Sequence, residues 1–178
     1  MVLYKDGQTV LFYRYFGRKG IFMIDGEQKT CCFTGHRIIP HSEVLKINES
    51  LEKICESLIN RGYSQFICGG ALGFDTLAAL CVLRLREKYD IKLIIAVPCR
   101  NQSEKWNKTD RELYEKILKL ADEVTVLSEE YTPFCMQNRN RFMVEHSSAC
   151  VAYLTRTVGG TAKTVNYAAD NDCELIFV

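Results

Sequence analysis

The sequence predicts an α/β domain: a doubly wound, mostly parallel sheet with helices on both faces, preceded by a short N-terminal β-hairpin-like extension. Three observations carry this. Short, nearly continuous apolar runs recur from residue 31 onward, amphipathic segments of helical period separate them, and glycine-rich turns follow several of the runs. Strands covered on both faces read as continuous apolar runs, and strand–helix alternation implies right-handed crossovers.

The predicted strands are "CCFTG" (31–35), "QFICG" (65–69), "IKLIIAVP" (91–98), "EVTVL" (123–127), "ACVAYL" (149–154) and "ELIFV" (174–178). Helices are expected between them. In 42–61, Leu45, Ile47, Leu51, Ile54, Cys55 and Leu58 recur every three or four residues, with Ser42 placed to cap the start and Gly62 following the end. In 103–120, Trp106, Leu113, Ile117 and Leu120 mark one face. Segments 74–89, 136–147 and 161–171 complete the set. Residues 1–29 fall outside this rhythm. There "TVLFYRYFG", "GRKG" and "IFMID" read as a β-hairpin, with a natural start near Met23 as the other reading. The organisation is therefore an extension over 1–29 and one Rossmann-like α/β domain over 30–178.

At 178 residues, a single domain of this kind buries roughly 70% of its unfolded surface. The net charge of +1, from 23 basic and 22 acidic residues, disfavours nucleic acid as a partner, since such proteins usually carry a basic excess. Nine cysteines, an odd number without any C-x-x-C pair, argue against both a disulfide framework and a zinc site, so no metal is expected. They fall where small apolar residues would serve. With no signal-type leader and no apolar run long enough to span a bilayer, the reading is a reduced, soluble, cytoplasmic protein without a membrane partner.

In doubly wound sheets, ligands bind beyond the carboxyl ends of the strands, which directs attention to the loops there. The first strand ends in Thr34, Gly35, His36 and Arg37. These offer a hydroxyl, a close backbone approach, an imidazole and a guanidinium able to fork onto a phosphate or carboxylate. The second ends in "CGGALGFD", where Gly69, Gly70, Ala71 and Gly73 precede a helix whose first turn holds Asp75. Neither G-x-G-x-x-G nor the P-loop pattern fits, because Cys68 replaces the first glycine and no lysine follows. Two readings of this turn stand side by side: a backbone cradle at a helix N-terminus, or a tight turn with a capping acid. Asp75 accordingly either caps the helix or meets a ribose hydroxyl or substrate amine.

Pro98 closes the third strand, ahead of Cys99, Arg100 and Asn101, and Trp106 follows as core or as a base-stacking ring. After the fourth strand, Asn138 and Arg139 open a helix, with Asn140 and Arg141 next to them. The fifth strand leads to Gly159, Gly160 and Thr161, a second glycine–hydroxyl loop before a helix.

Together these loops resemble the SLOG superfamily, most closely its YpsA-type branch. T-G-H-R, C-G-G-A-L-G-F-D, A-V-P-C, the run Gln137 to Arg141, and Gly159-Gly160-Thr161 all match, and the resemblance covers roughly residues 30 to 178. It implies a Rossmann-like fold and a pocket for a nucleotide or nucleotide-derived ligand such as ADP-ribose or an NAD-like molecule, and a homodimer as a family-level expectation. The superfamily also holds LOG-type phosphoribohydrolases and DNA-processing protein A. The LOG-type motif P-G-G-x-G-T-x-x-E places its catalytic glutamate at Asn166, its proline at Val158 and its second G-T at Ala162-Lys163. A neutral amide cannot replace that carboxylate.

Three functions follow as expectations. A binding or sensor protein for a nucleotide-type ligand leads. An N-glycosidic hydrolase using Asp75, or less suitably Glu145, comes second, and a single-stranded DNA-binding protein third.

Overall fold

The computed structural model describes residues 2–5, 8–11 and 29–178. Strands β1 (Val2–Lys5) and β2 (Gln8–Leu11) pair antiparallel, Val2 opposite Leu11 and Lys5 opposite Gln8. A hairpin therefore exists near the N-terminus. The one expected with its turn at residues 17–20 lies largely outside the described residues.

The domain begins at β3 (Lys29–Gly35) and continues α1 (Val44–Asn60), β4 (Tyr63–Cys68), α2 (Phe74–Leu85), β5 (Lys92–Val97), α3 (Lys108–Leu120), β6 (Glu123–Val126), α4 (Cys135–Glu145), β7 (Ala149–Tyr153), α5 (Gly160–Asp170) and β8 (Glu174–Phe177). The six strands from β3 form one sheet in the order β6-β5-β4-β3-β7-β8, every neighbouring pair parallel. The chain winds outward from β3 to β6, then crosses back to place β7 on the other side of β3. Strand order thus reverses between β3 and β7, which are in register from Cys31 opposite Ala149 to Gly35 opposite Tyr153. The ligand crevice of a doubly wound sheet opens at such a reversal.

Period-two alternation divides the core. Cys31, Phe33, Phe66, Leu93, Ile95 and Val151 face α1, α2 and α3, where Leu51, Cys55, Ala78, Val82 and Ile117 pack on them. Cys32, Ile67, Ile94, Ala96 and Cys150 face α4 and α5, against Met143, Val144 and Ala168. All nine cysteines are buried and unpaired, so they act as small apolar side chains within the sheet and its helices.

Three local expectations are corrected. A 3-10 turn, His41–Glu43, precedes α1, so Ser42 lies inside that turn and no side chain caps the helix. Glu43 is instead held by the Tyr153 hydroxyl at 2.5 Å. Gly62 does sit just past α1, at φ +88°, in the left-handed region that glycine favours. Helix α3 starts at 108, not 103, because Asn107 accepts the amide of Asp110 at 2.9 Å and caps it there. Its buried face is Tyr114 and Ile117, whereas Leu113 and Leu120 are 36% and 44% exposed. Trp106, in the turn before the cap, is half-buried and packs edge-on against the Tyr114 ring, centroids 5.2 Å apart.

Candidate functional site

An open cavity of about 350 Å³ lies at the carboxyl ends of β3 and β7, where the strand order reverses. Its walls come from four segments: Phe33 to Arg37 after β3, Ala71 and Asp75 around the start of α2, Met136, Arg139 and Asn140 on α4, and Gly160 and Thr161 opening α5. That volume falls within the range of small-molecule sites, about 300–1,000 Å³.

The two helix N-termini near this edge differ in how their amides are used. At α2, Phe74 N donates to the His36 carbonyl at 3.1 Å, and Ala71 N donates to Asp75 Oδ2 at 3.2 Å. The Thr76 hydroxyl turns back to the Ala71 carbonyl at 3.1 Å. This end is closed by the chain itself. At α5, Gly159 takes φ +106° as the N-cap, offers no side chain to the first turn, and Cβ atoms added at Gly159 or Gly160 would meet nothing within 4 Å. The space a side chain would take at these two glycines is therefore open, and the partial positive charge of the helix end lies beside it.

The glycines of "CGGALG" serve packing. A Cβ at Gly69 would fall 1.5 Å from Arg139 Nη1, and one at Gly73, φ +78°, would fall 2.3 Å from the Arg37 carbonyl oxygen. Gly70, φ +63°, lies against Ile95 and Tyr114, with its carbonyl accepting from Gln102 Nε2 at 2.8 Å. None of the three is among the residues lining the cavity. Gly35 lines it from one side and leaves room for the Phe74 ring on the other.

Asp75 and Arg139 form a buried ion pair, Nη1 to Oδ2 at 3.3 Å, with both side chains less than a tenth exposed. Burial pushes the Asp75 carboxyl above its ordinary range, against the opposing pull of Arg139, the amides of Ala71 and Gly69, and Arg37. Burial likewise lowers the Arg139 guanidinium from its usual value, and Asp75 opposes that shift. Arg139 Nε is buried and bonds nothing among the described residues. Arg37 is exposed at the mouth; its Nη2 touches Met136 Sδ at 3.9 Å, and among the described residues no carboxylate pairs with it. His36 Nε2 accepts the amide of Thr155 at 2.9 Å, which leaves Nδ1 to carry the ring proton. Asn140 Nδ2 donates to Thr164 Oγ1 at 2.7 Å, tying α4 to α5.

The family model for YpsA, the YspA SLOG family, matches residues 34–174. The chain belongs to this family. A SPbeta prophage-derived protein, YoqJ, of Bacillus subtilis is 36% identical over 139 residues, which is 70% of this chain and 81% of that protein. Among solved structures, DNA processing protein A of Streptococcus pneumoniae superposes with a TM-score of 0.63 at 16% identity, covering 84% of this chain and half of that one. The Helicobacter pylori protein of the same name, whose structure concerns its single-stranded DNA binding mode, gives 0.59 at 17%, covering 85% and 65%. At these identities the structural likeness shows the Rossmann-like fold shared with this SLOG-family chain.

Of the residues singled out in the sequence, Thr34, Gly35, His36, Arg37, Ala71, Asp75, Arg139, Gly160 and Thr161 meet in this cavity. Gly69, Gly70 and Gly73 support it from behind, and Gly159 sets the turn into α5. Pro98 and Asn138 line a different hollow. Glu145 accepts the Tyr167 hydroxyl at 2.6 Å and Asn166 is exposed, both away from the cavity walls. Phe33 and Met136 line the cavity without having been singled out, and Asn140, named in the sequence only within the run Gln137 to Arg141, lines it too. Asn140 stands beside Asn138 and Arg139 in sequence, but Phe33 reads as strand interior. Among the described residues, no helix is long and apolar enough to cross a membrane.

Proposed function

We propose that this SLOG domain binds the phosphate of a nucleotide or nucleotide-derived ligand, of the ADP-ribose or NAD-like class, in the cavity between β3 and β7. The supporting observation is the imbalance of charge there. Arg37, Arg139 and the uncapped N-terminus of α5 surround one cavity, and Asp75, the sole carboxylate on its wall among the described residues, is already engaged by Arg139. Thr34, Thr161 and Asn140 add hydrogen-bonding groups suited to ribose and phosphate oxygens. Nine reduced, buried cysteines accord with a cytoplasmic setting.

Thermal-shift measurements against nucleoside mono- and diphosphates, NAD and ADP-ribose test this reading. A true ligand at 100 times its Kd adds about 2.7 kcal/mol of stability. Arg37→Ala, at an exposed position, keeps the fold and weakens that gain. A panel without any stabilising member defeats the proposal.

A hydrolase reading draws on the same wall, since Asp75 faces the cavity with a carboxyl that burial biases toward its protonated form, as a general acid requires. Release of free base from the ligand, lost in Asp75→Asn, would support it; full activity in that variant would remove Asp75 from the chemistry. The single-stranded DNA mode of the Helicobacter pylori relative adds an oligonucleotide arm to the panel.

A further inference from the structure

Sulfur is abundant in this chain, and nearly all of it is shut away. The nine cysteines are buried, and Met143, on the inner face of α4, is 1% exposed. Among the described residues the remaining sulfur belongs to Met136, which is partly exposed in the first turn of α4 and lines the main cavity. Met1 and Met23 lie outside the described residues. Reactivity of a thioether toward peroxides follows its exposure, so Met136 is the first of these sulfurs an oxidant in the cavity meets. Its neighbour is the exposed guanidinium at the mouth: Arg37 Nη2 donates to Met136 Sδ at 3.9 Å. A thioether is a weak acceptor, so Arg37 is lightly held. Arg37 also lies near enough to Asp75 and Arg139 for its charge to act on both, which sets it over the buried ion pair.

We propose that Met136 is a site of reversible oxidation by a hydroperoxide, and that its sulfoxide takes Arg37 away from an anion in the cavity. The effect on the ligand rests on the phosphate reading above; the site of oxidation does not. In the step, a sulfur lone pair attacks one peroxide oxygen, an S–O bond forms and the O–O bond breaks. Sulfur loses two electrons and hydrogen peroxide is reduced to water. Two thiols, acting through a sulfoxide reductase, return the thioether and leave a disulfide and water. The added oxygen changes the wall in two ways. On the side facing Nη2 it closes most of the 3.9 Å gap and replaces a weak acceptor by a strong one, so the guanidinium donors are committed. It also puts the negative end of the S–O dipole on the surface an anion approaches. Because Met136 is partly exposed, the polar product needs no repacking of the core.

Limited treatment of the full chain with hydrogen peroxide tests this, read by peptide mass mapping and by calorimetry with pyrophosphate. Met136 is expected to gain one oxygen while Met143 and the nine cysteines stay unchanged. Pyrophosphate affinity is expected to fall about tenfold on oxidation, the scale of one lost bond to a charged group. In Met136→Leu, which conserves volume, affinity should withstand the same treatment. A dicarbonyl reagent that labels arginine reads the contact without any ligand: labelling of Arg37 should slow once Met136 is oxidised. Oxidation of Met143 or of a cysteine ahead of Met136 would overturn the site. Arg37 labelling or pyrophosphate affinity that oxidation leaves unchanged would overturn the hold on Arg37 and spare the phosphate reading. Failure of pyrophosphate to bind the untreated chain would overturn the phosphate reading, and Arg37 labelling would still decide the sulfoxide contact.

Discussion

Arg139 reaches Asp75 across 64 positions of sequence, Nη1 3.3 Å from Oδ2, and this pair joins the start of α2 to α4 beneath the cavity floor. Gly69 makes the approach feasible, because any side chain there would occupy the space of the guanidinium. Two segments distant in sequence, the turn from Gly69 to Asp75 and α4, thus fix one charged group beside the cavity.

Removing one partner leaves the other charged, buried and uncompensated. Asp75→Ala is expected to cost about 3–5 kcal/mol in urea unfolding, and adding Arg139→Met to it should restore part of that loss. A cost under about 1 kcal/mol for Asp75→Ala would mean the pair does not hold α2 to α4.

The pH dependence has a definite sign. Burial raises the Asp75 carboxyl above its ordinary value of 3.8, so in that interval the folded chain binds its proton more tightly than the unfolded chain. The contribution is therefore full below the unfolded value and is lost as pH rises through the folded one. Relative to Asp75→Asn, the wild type should lose stability as pH increases from about 4 toward neutrality. Urea titrations of both proteins across that range measure the difference. A difference that grows with pH would reverse the assignment and place the Arg139 attraction above the cost of burial.

The glycines separate into two kinds by experiment. Gly73→Ala combines a left-handed φ with a clash against the Arg37 carbonyl and should cost about 2 kcal/mol or more. Gly160→Ala meets nothing, so its stability should stay within about 0.5 kcal/mol of wild type, while phosphate affinity falls where the methyl group crowds the ligand. Thermal unfolding with and without the best ligand distinguishes these outcomes. Equal destabilisation by the two changes would contradict the packing role given to Gly73.

Much of the fold was legible because burial on both faces leaves a strong mark. "KLIIAV" and "ACVAY" have few alternatives to a covered strand, and Ile47, Leu51, Cys55 and Leu58 repeat at the helical period. Helix starts were less legible. Ser42 and residue 103 both offered plausible beginnings, and the 3-10 turn and the Asn107 cap decided otherwise through local hydrogen bonds. Leu45 fitted the period of α1 yet is exposed, because apolar spacing alone does not state how wide a stripe the neighbouring layer covers.

By itself the sequence determined the alternation of strands and helices, and hence a doubly wound sheet, and it marked which loops stand at the carboxyl ends of the strands. These follow from periodicities of two and 3.6 residues, which are local. The tertiary structure alone decided what each glycine loop is for. "CGGALG" and "VGGT" look alike in composition, since a missing side chain admits either a ligand or another part of the chain. In the first, Arg139, Tyr114 and the Arg37 carbonyl take up that room; in the second it opens on the cavity. The same packing committed Asp75 to Arg139, a contact between residues far apart in sequence that no local pattern encodes.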